Sequence, residues 1–192
     1  MPWEKSFNED RAIENAMLLF WKKGYNDTSM ADLLRTTGLT KGSFYNAFKS
    51  KRDLFVETLK KYDKESRSAL QDLTMMDSPI KAILAFFDNL VASTTSDKDQ
   101  KGCFVVNSLL CITTFDDEVQ KIVRGSAQSI ETFFKQMIEI GQVRGEISKD
   151  ISPAHTAKSL FGIMVSIRVL GRGTYNSQGI KALSAQVPIL IQ

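Results

Sequence analysis

The sequence is poor in the residues on which cross-linking, metal ligation and catalysis usually rest. Cys103 and Cys111 are its only cysteines, too few for a disulfide framework. His155 is its only histidine and has no Cys or His neighbour at ligand spacing, so no metal and no cofactor is expected. A paired-carboxylate motif, a nucleophile motif and a phosphate-cradling loop are all missing, which argues against an enzyme. No run of about eighteen apolar residues offers a membrane span. The opening residues, MPWEKSFNEDR, carry acids where a signal peptide needs a basic and then an apolar stretch. A cytoplasmic protein in a reducing compartment is the resulting expectation. Internal repeats, low-complexity segments and strand-like alternation are also missing.

Charge of one sign is scarce over the whole chain, whose formal net charge is +3. It is concentrated instead. Between Arg35 and Lys61 stand seven cations and two carboxylates, a local excess larger than the total, so the remaining chain is slightly acidic. Such a basic segment is where an anionic partner would be held.

What is present reads as helix throughout. Ile13, Ala16, Met17, Phe20 and Trp21 recur at helical spacing and Gly24 follows as a stop, which predicts a helix over about 7 to 24. Ser29 with Asp32 has the form of a capping box ahead of Met30, Leu33 and Leu34, and Gly38 ends that short segment. Thr40 caps a third helix containing Phe44, Tyr45 and Phe48, and Ser50 with Asp53 opens a long fourth one toward Leu73. A fifth helix starts at Pro79, a sixth within Cys103–Ile112, a long seventh ends in the region of Gly141 to Gly145, and Ser152-Pro153 starts an eighth. The last is predicted over Gln178 to Leu190. The expected fold is all-α with about nine helices. It divides into a three-helix unit, residues 1–50, and a larger helical bundle, residues 51–192.

Two short helices joined at Thr37-Gly38-Leu39 and backed by a first helix have the layout of a helix-turn-helix, whose second short helix enters the DNA major groove. Leu33, Leu39 and Phe44 would form its small core and leave Lys41, Ser43, Tyr45 and Asn46 exposed. Gly42 would let phosphate or base approach the helix start closely. Lys51 and Arg52 lie in the first turn of the next helix, against its macrodipole, where a DNA phosphate would satisfy free backbone N–H groups and both cations. The same logic makes Thr28 and Ser29 candidate phosphate contacts.

The stretch AIENAMLLFWKKGYNDTSMADLLRTTGLTKGSFYNAFKSKRDLF resembles the DNA-binding domain of the TetR family of transcriptional repressors over residues of about 7 to 62. Gly24-Tyr25, Thr28-Ser29, Gly38, Gly42-Ser43, Tyr45, Phe48, Ser50-Lys51 and Leu54-Phe55 carry the likeness. The resemblance implies a homodimer that binds a palindromic double-stranded DNA operator, and a C-terminal bundle that binds a small effector and releases the DNA. It puts Thr28, Ser29 and Lys51 at phosphate-contact positions and Thr40, Lys41, Gly42, Ser43, Tyr45 and Asn46 on the recognition helix. It also implies dimerisation through the last two helices. Leu34 and Asn46-Ala47 depart from the family's usual residues, so an operator sequence does not carry over.

In the bundle, Phe86, Phe87, Phe104, Phe133, Met137, Phe161 and Met164 suggest a cavity for an apolar or planar molecule, with Asn107 and Arg168 as polar positions able to orient it. The segment KGCFVVNSLL resembles the sixth-helix start of a TetR subgroup in which some members use this Cys as a reactive sensor. A Cys at a helix start with Lys98 and Lys101 nearby is in a setting that lowers a thiol pKa, and a small packing residue is the alternative. A covalent trigger at Cys103 is therefore a second reading beside reversible ligand release. A small-molecule carrier or enzyme using the aromatic cavity is the third.

Overall fold

In the computed structural model, which describes residues 8–192, the described residues form ten α-helices and one 3-10 turn, with no strand. The expected all-α fold is therefore correct. The chain divides into two compact units, one ending at Lys64 and the other spanning Glu65–Gln192. No described helix is long and apolar enough to cross a membrane.

The first unit contains α1 (Glu9–Lys23), α2 (Met30–Thr37), α3 (Lys41–Phe48) and the start of α4 (Lys51–Thr74). Each short helix is delimited by its own sequence. Asn8 accepts from the Arg11 N–H, Ser29 from the Asp32 N–H and Thr40 from the Ser43 N–H, so every N-terminus meets a side-chain oxygen. Gly38 ends α2 in the left-handed conformation, φ 71°, which an L-residue with a side chain adopts only at a cost. The core beneath these helices is aromatic. Phe55 meets Phe20 at 5.1 Å and Tyr25 at 4.7 Å between ring centres, and Trp21 stands edge-on to Tyr62 at 5.2 Å. Phe20 and Phe55 are each 1% exposed, and burial of a side chain of this size is worth about 1.5–3 kcal/mol. These contacts carry the first compact unit past Ser50 into the early turns of α4, because Leu54, Phe55 and Leu59 face inward with α1.

The second unit contains the rest of α4 with α5 (Pro79–Ser96), α6 (Phe104–Leu110), a 3-10 turn (Ile112–Thr114), α7 (Asp117–Val143), α8 (Pro153–Leu170), α9 (Ser177–Ser184) and α10 (Val187–Leu190). Helix α7 packs on α5, α6 and α8, and α9 packs on α5 and α8. Its centre is a cluster of four phenylalanines. Phe87 stacks on Phe134 at 5.6 Å and 15°, while Phe86 meets Phe134 edge-on at 4.9 Å and Phe133 at 6.0 Å.

The single terminal helix expected over residues 178 to 190 is two helices, interrupted at Ala185 and Gln186. Pro188 explains the break. It lies in the first turn of α10, where its missing N–H is harmless, whereas in a continuous helix its ring would clash with the carbonyl of Ser184.

Candidate DNA-binding interface

Helix α3 is a two-sided element. Phe44 and Phe48 are buried, at 0% and 4% exposure, and they fix the helix against the rest of the first unit with Leu33 and Leu39. The opposite side presents Lys41, Gly42, Tyr45 and Asn46 to solvent, with Ser43 half-exposed. A Cβ placed on Gly42 would meet nothing within 4 Å, so the first turn of α3 is an open surface. Thr40 Oγ1 accepts from the Ser43 N–H at 3.2 Å and shares a hydrogen bond with Ser43 Oγ at 2.9 Å. Those two hydroxyls thus hold the helix start together, and the outward reach belongs to Lys41, Tyr45 and Asn46.

The flanking helix starts differ from one another. Ser29 is exposed at the start of α2 and is locked to Asp32: Asp32 Oδ2 accepts from the Ser29 N–H at 3.0 Å and from Ser29 Oγ at 2.8 Å. Thr28 is buried, at 1% exposure, and its hydroxyl donates to the Gly24 carbonyl at 2.6 Å. That hydroxyl closes the turn after α1 and does not reach outward. At α4, Ser50 Oγ accepts from the Asp53 N–H at 3.0 Å. Lys51 is half-buried with its Nζ 4.5 Å over the centre of the Tyr25 ring, a cation–π contact. Burial pushes its ammonium pKa below the usual 10.5, with Lys23 adding to the shift and Asp27 opposing it.

One group of the interface is invisible to motif reading. Asp32 draws together Lys23 of α1 and Arg35 of α2, whose nitrogens lie 2.5 Å and 2.6 Å from its two oxygens. The Lys23 hydrogen bond, followed by those from Ser29, holds the Asp32 carboxyl far below the ordinary carboxylate range. The sequence signal was the capping box alone; the partner nine residues earlier is a tertiary neighbour.

In the second unit most of the expected pocket residues are buried. Phe87, Phe104, Phe133, Met137 and Met164 are buried, Phe86 and Phe161 are half-buried, and the Phe86, Phe87 and Phe133 rings lie against one another or against Phe134. Of these, Phe133 also lines a cleft of about 530 Å³ between α4 and α7, and Phe87 a groove of about 510 Å³ between α5 and α9. Asn107 and Arg168 have internal partners. Asn107 donates to the Lys101 carbonyl at 2.7 Å and accepts from Arg172 at 3.2 Å, while Arg168 donates to Thr94 Oγ1 at 3.1 Å. Cys103 sits at the start of α6 and is 6% exposed. No group of metal-ligating side chains occurs among the described residues.

Two family patterns cover most of the chain. The one described as bacterial regulatory proteins, tetR family, matches residues 12–58, and the one described as the tetracyclin repressor-like C-terminal domain matches residues 79–183. The chain belongs to the TetR family. It is a DNA-binding transcriptional regulator of the TetR type and not an enzyme. Among curated TetR relatives, the transcriptional repressor ComR of Escherichia coli (strain K12) is 28% identical over 170 residues, 88% of this chain and 81% of ComR. The repressor DhaR of Mycobacterium sp. (strain GP1) is 26% identical over 142 residues, 73% of this chain and 70% of DhaR. Among solved structures, a cysteine mutant of the TetR regulator CifR, complexed with 26-bp double-strand operator DNA, superposes with a TM-score of 0.82 at 25% identity, covering 95% of this chain and 96% of CifR.

Proposed function

We propose that this TetR protein is a homodimeric repressor in the cytoplasm that binds a palindromic operator through paired α3 helices and leaves it when a small molecule enters the second unit. The observation that carries the DNA part is the outward face of α3, where Lys41, Tyr45 and Asn46 stand above a wholly buried Phe44. Their chemistry suits base edges: a lysine donates to guanine O6 and N7, and an asparagine pairs with adenine N6 and N7. Ser29, Thr40, Gly42, Ser43 and Lys51 act around them as backbone contacts and supports of the helix start. The relatives ComR and DhaR are named as repressors and CifR was captured on its operator, which supports the direction of regulation.

Dimerisation through α8 and the terminal α9 and α10 is supported by the half-exposed apolar residues Phe161, Val165, Val169 and Leu183. Gly162 adds a bare spot on α8, where a Cβ would meet nothing within 4 Å. The buried Cys103 favours reversible release over a covalent trigger.

Titration of a labelled duplex from the region upstream of the gene tests the proposal. Nanomolar-range binding with a steep salt dependence and a stoichiometry of two chains per half-site pair is expected. Binding that is equally tight on unrelated duplexes would refute specific repression.

A further inference from the structure

Two stripes of polar side chains face one another across the cleft between α4 and α7. On α4, Gln71 and Thr74 lie three residues apart beside Leu70; on α7, Gln128, Ser129, Thr132 and Gln136 follow helical spacing above Phe133. The volume, about 530 Å³, is in the range of small-molecule sites, about 300–1,000 Å³. Leu70 and Phe133, buried at 8% and 3%, supply an apolar floor. No carboxylate lines the cleft, and Arg67 is its one ionic side chain.

Gly125 adds free room to the cleft. It lies within the 27-residue helix α7 and lines the cleft, yet a Cβ there would meet nothing within 4 Å. Glycine is the poorest helix former after proline, and no close neighbour requires it here. A side chain at that position would instead occupy the cleft.

We infer that this cleft binds an uncharged, hydroxyl-rich molecule of carbohydrate type. Glutamine amides offer a donor and an acceptor each, which matches hydroxyl groups that do both, and the Leu70–Phe133 floor suits the C–H face of a sugar ring. The class differs from the apolar, planar effector that the aromatic composition suggested. The inference deepens the effector reading above and rests on it only for the consequence, release of DNA.

The test is calorimetry of the full chain with glucose, galactose, maltose and sorbitol against the planar apolar compound menadione, in wild type, Gly125→Leu and Gln128→Leu. At least one of the four hydroxylated probes should bind, Gly125→Leu should abolish that binding without lowering Tm, and Gln128→Leu should weaken it about fivefold to tenfold. Binding of menadione alone, no binding of any hydroxylated probe, or binding unchanged by both substitutions would overturn the inference. A parallel operator titration separates the two readings. A sugar that binds the cleft but leaves the operator complex intact refutes the effector reading only. Menadione that releases DNA equally from wild type and Gly125→Leu supports the effector reading and refutes this site.

Discussion

Gly38 is the pivot of the helix-turn-helix, and its replacement separates backbone strain from packing. At φ 71° a Cβ on residue 38 would meet no atom within 4 Å, so Gly38→Ala introduces no clash with a neighbour. The penalty is the left-handed conformation itself, about 1–2 kcal/mol for an ordinary L-residue. Asn tolerates that region better, so Gly38→Asn should lose clearly less, and Gly38→Val, β-branched, more. The assay is urea unfolding followed by tryptophan fluorescence. Trp3 and Trp21 both precede Tyr25, and Trp21 packs edge-on to Tyr62 in the first unit, so the signal reports the DNA-binding end of the chain. At a slope of about 2 kcal/mol per molar urea, the middle of the usual range for small proteins, Gly38→Ala should lower the midpoint by about 0.5–1 M. A midpoint equal to wild type for Ala, or an order in which Asn is no better than Val, would refute the strain argument.

Other consequences follow from the same geometry. Phe44→Ala empties a fully buried site beneath the recognition helix and should destabilise by about 3–5 kcal/mol, abolishing operator binding together with the fluorescence transition. Lys51→Ala should weaken binding on all duplexes alike and reduce the salt slope by about 0.9, the share of one phosphate contact. A loss confined to one operator sequence would contradict that role. Burial raises the Cys111 thiol above its usual 9.0. The folded state therefore holds this proton longer than the unfolded chain, a contribution present below pH 9.0 and lost as pH rises through the folded value. Urea midpoints measured across that window should fall with pH in wild type and fall less in Cys111→Ser.

Much of the DNA-binding end was legible because its signals are local. Ser29, Thr40 and Ser50 cap helices three residues ahead of the N–H groups they accept from, and Gly38 ends α2 by its own backbone conformation. Phe44 and Phe48 are four residues apart, so periodicity alone sends them to the same side. Where a residue's fate depends on distant partners the sequence was silent. Lys23 was one charge among many until the fold set it on Asp32, which lies on the next helix. In the bundle, aromatic composition pointed to a lined cavity; Phe86, Phe87, Phe133 and Phe134 lie ring against ring, and Phe133 and Phe87 also line clefts. Apolar side chains at helical spacing signal burial without stating whether the buried face meets protein or ligand. The amide stripe of α4 and α7 has the same spacing, and only the facing of the two helices makes it a cleft.

Selection of binding sequences from a randomised duplex pool, with wild type and with Asn46→Ala, tests the central claim most directly. The account predicts an enriched palindrome for wild type and, for the variant, relaxed preference at one symmetric pair of positions with unchanged stability, because Asn46 is exposed. Enrichment of no sequence by wild type, or an identical motif and affinity from Asn46→Ala, would contradict reading of DNA by the outward face of α3.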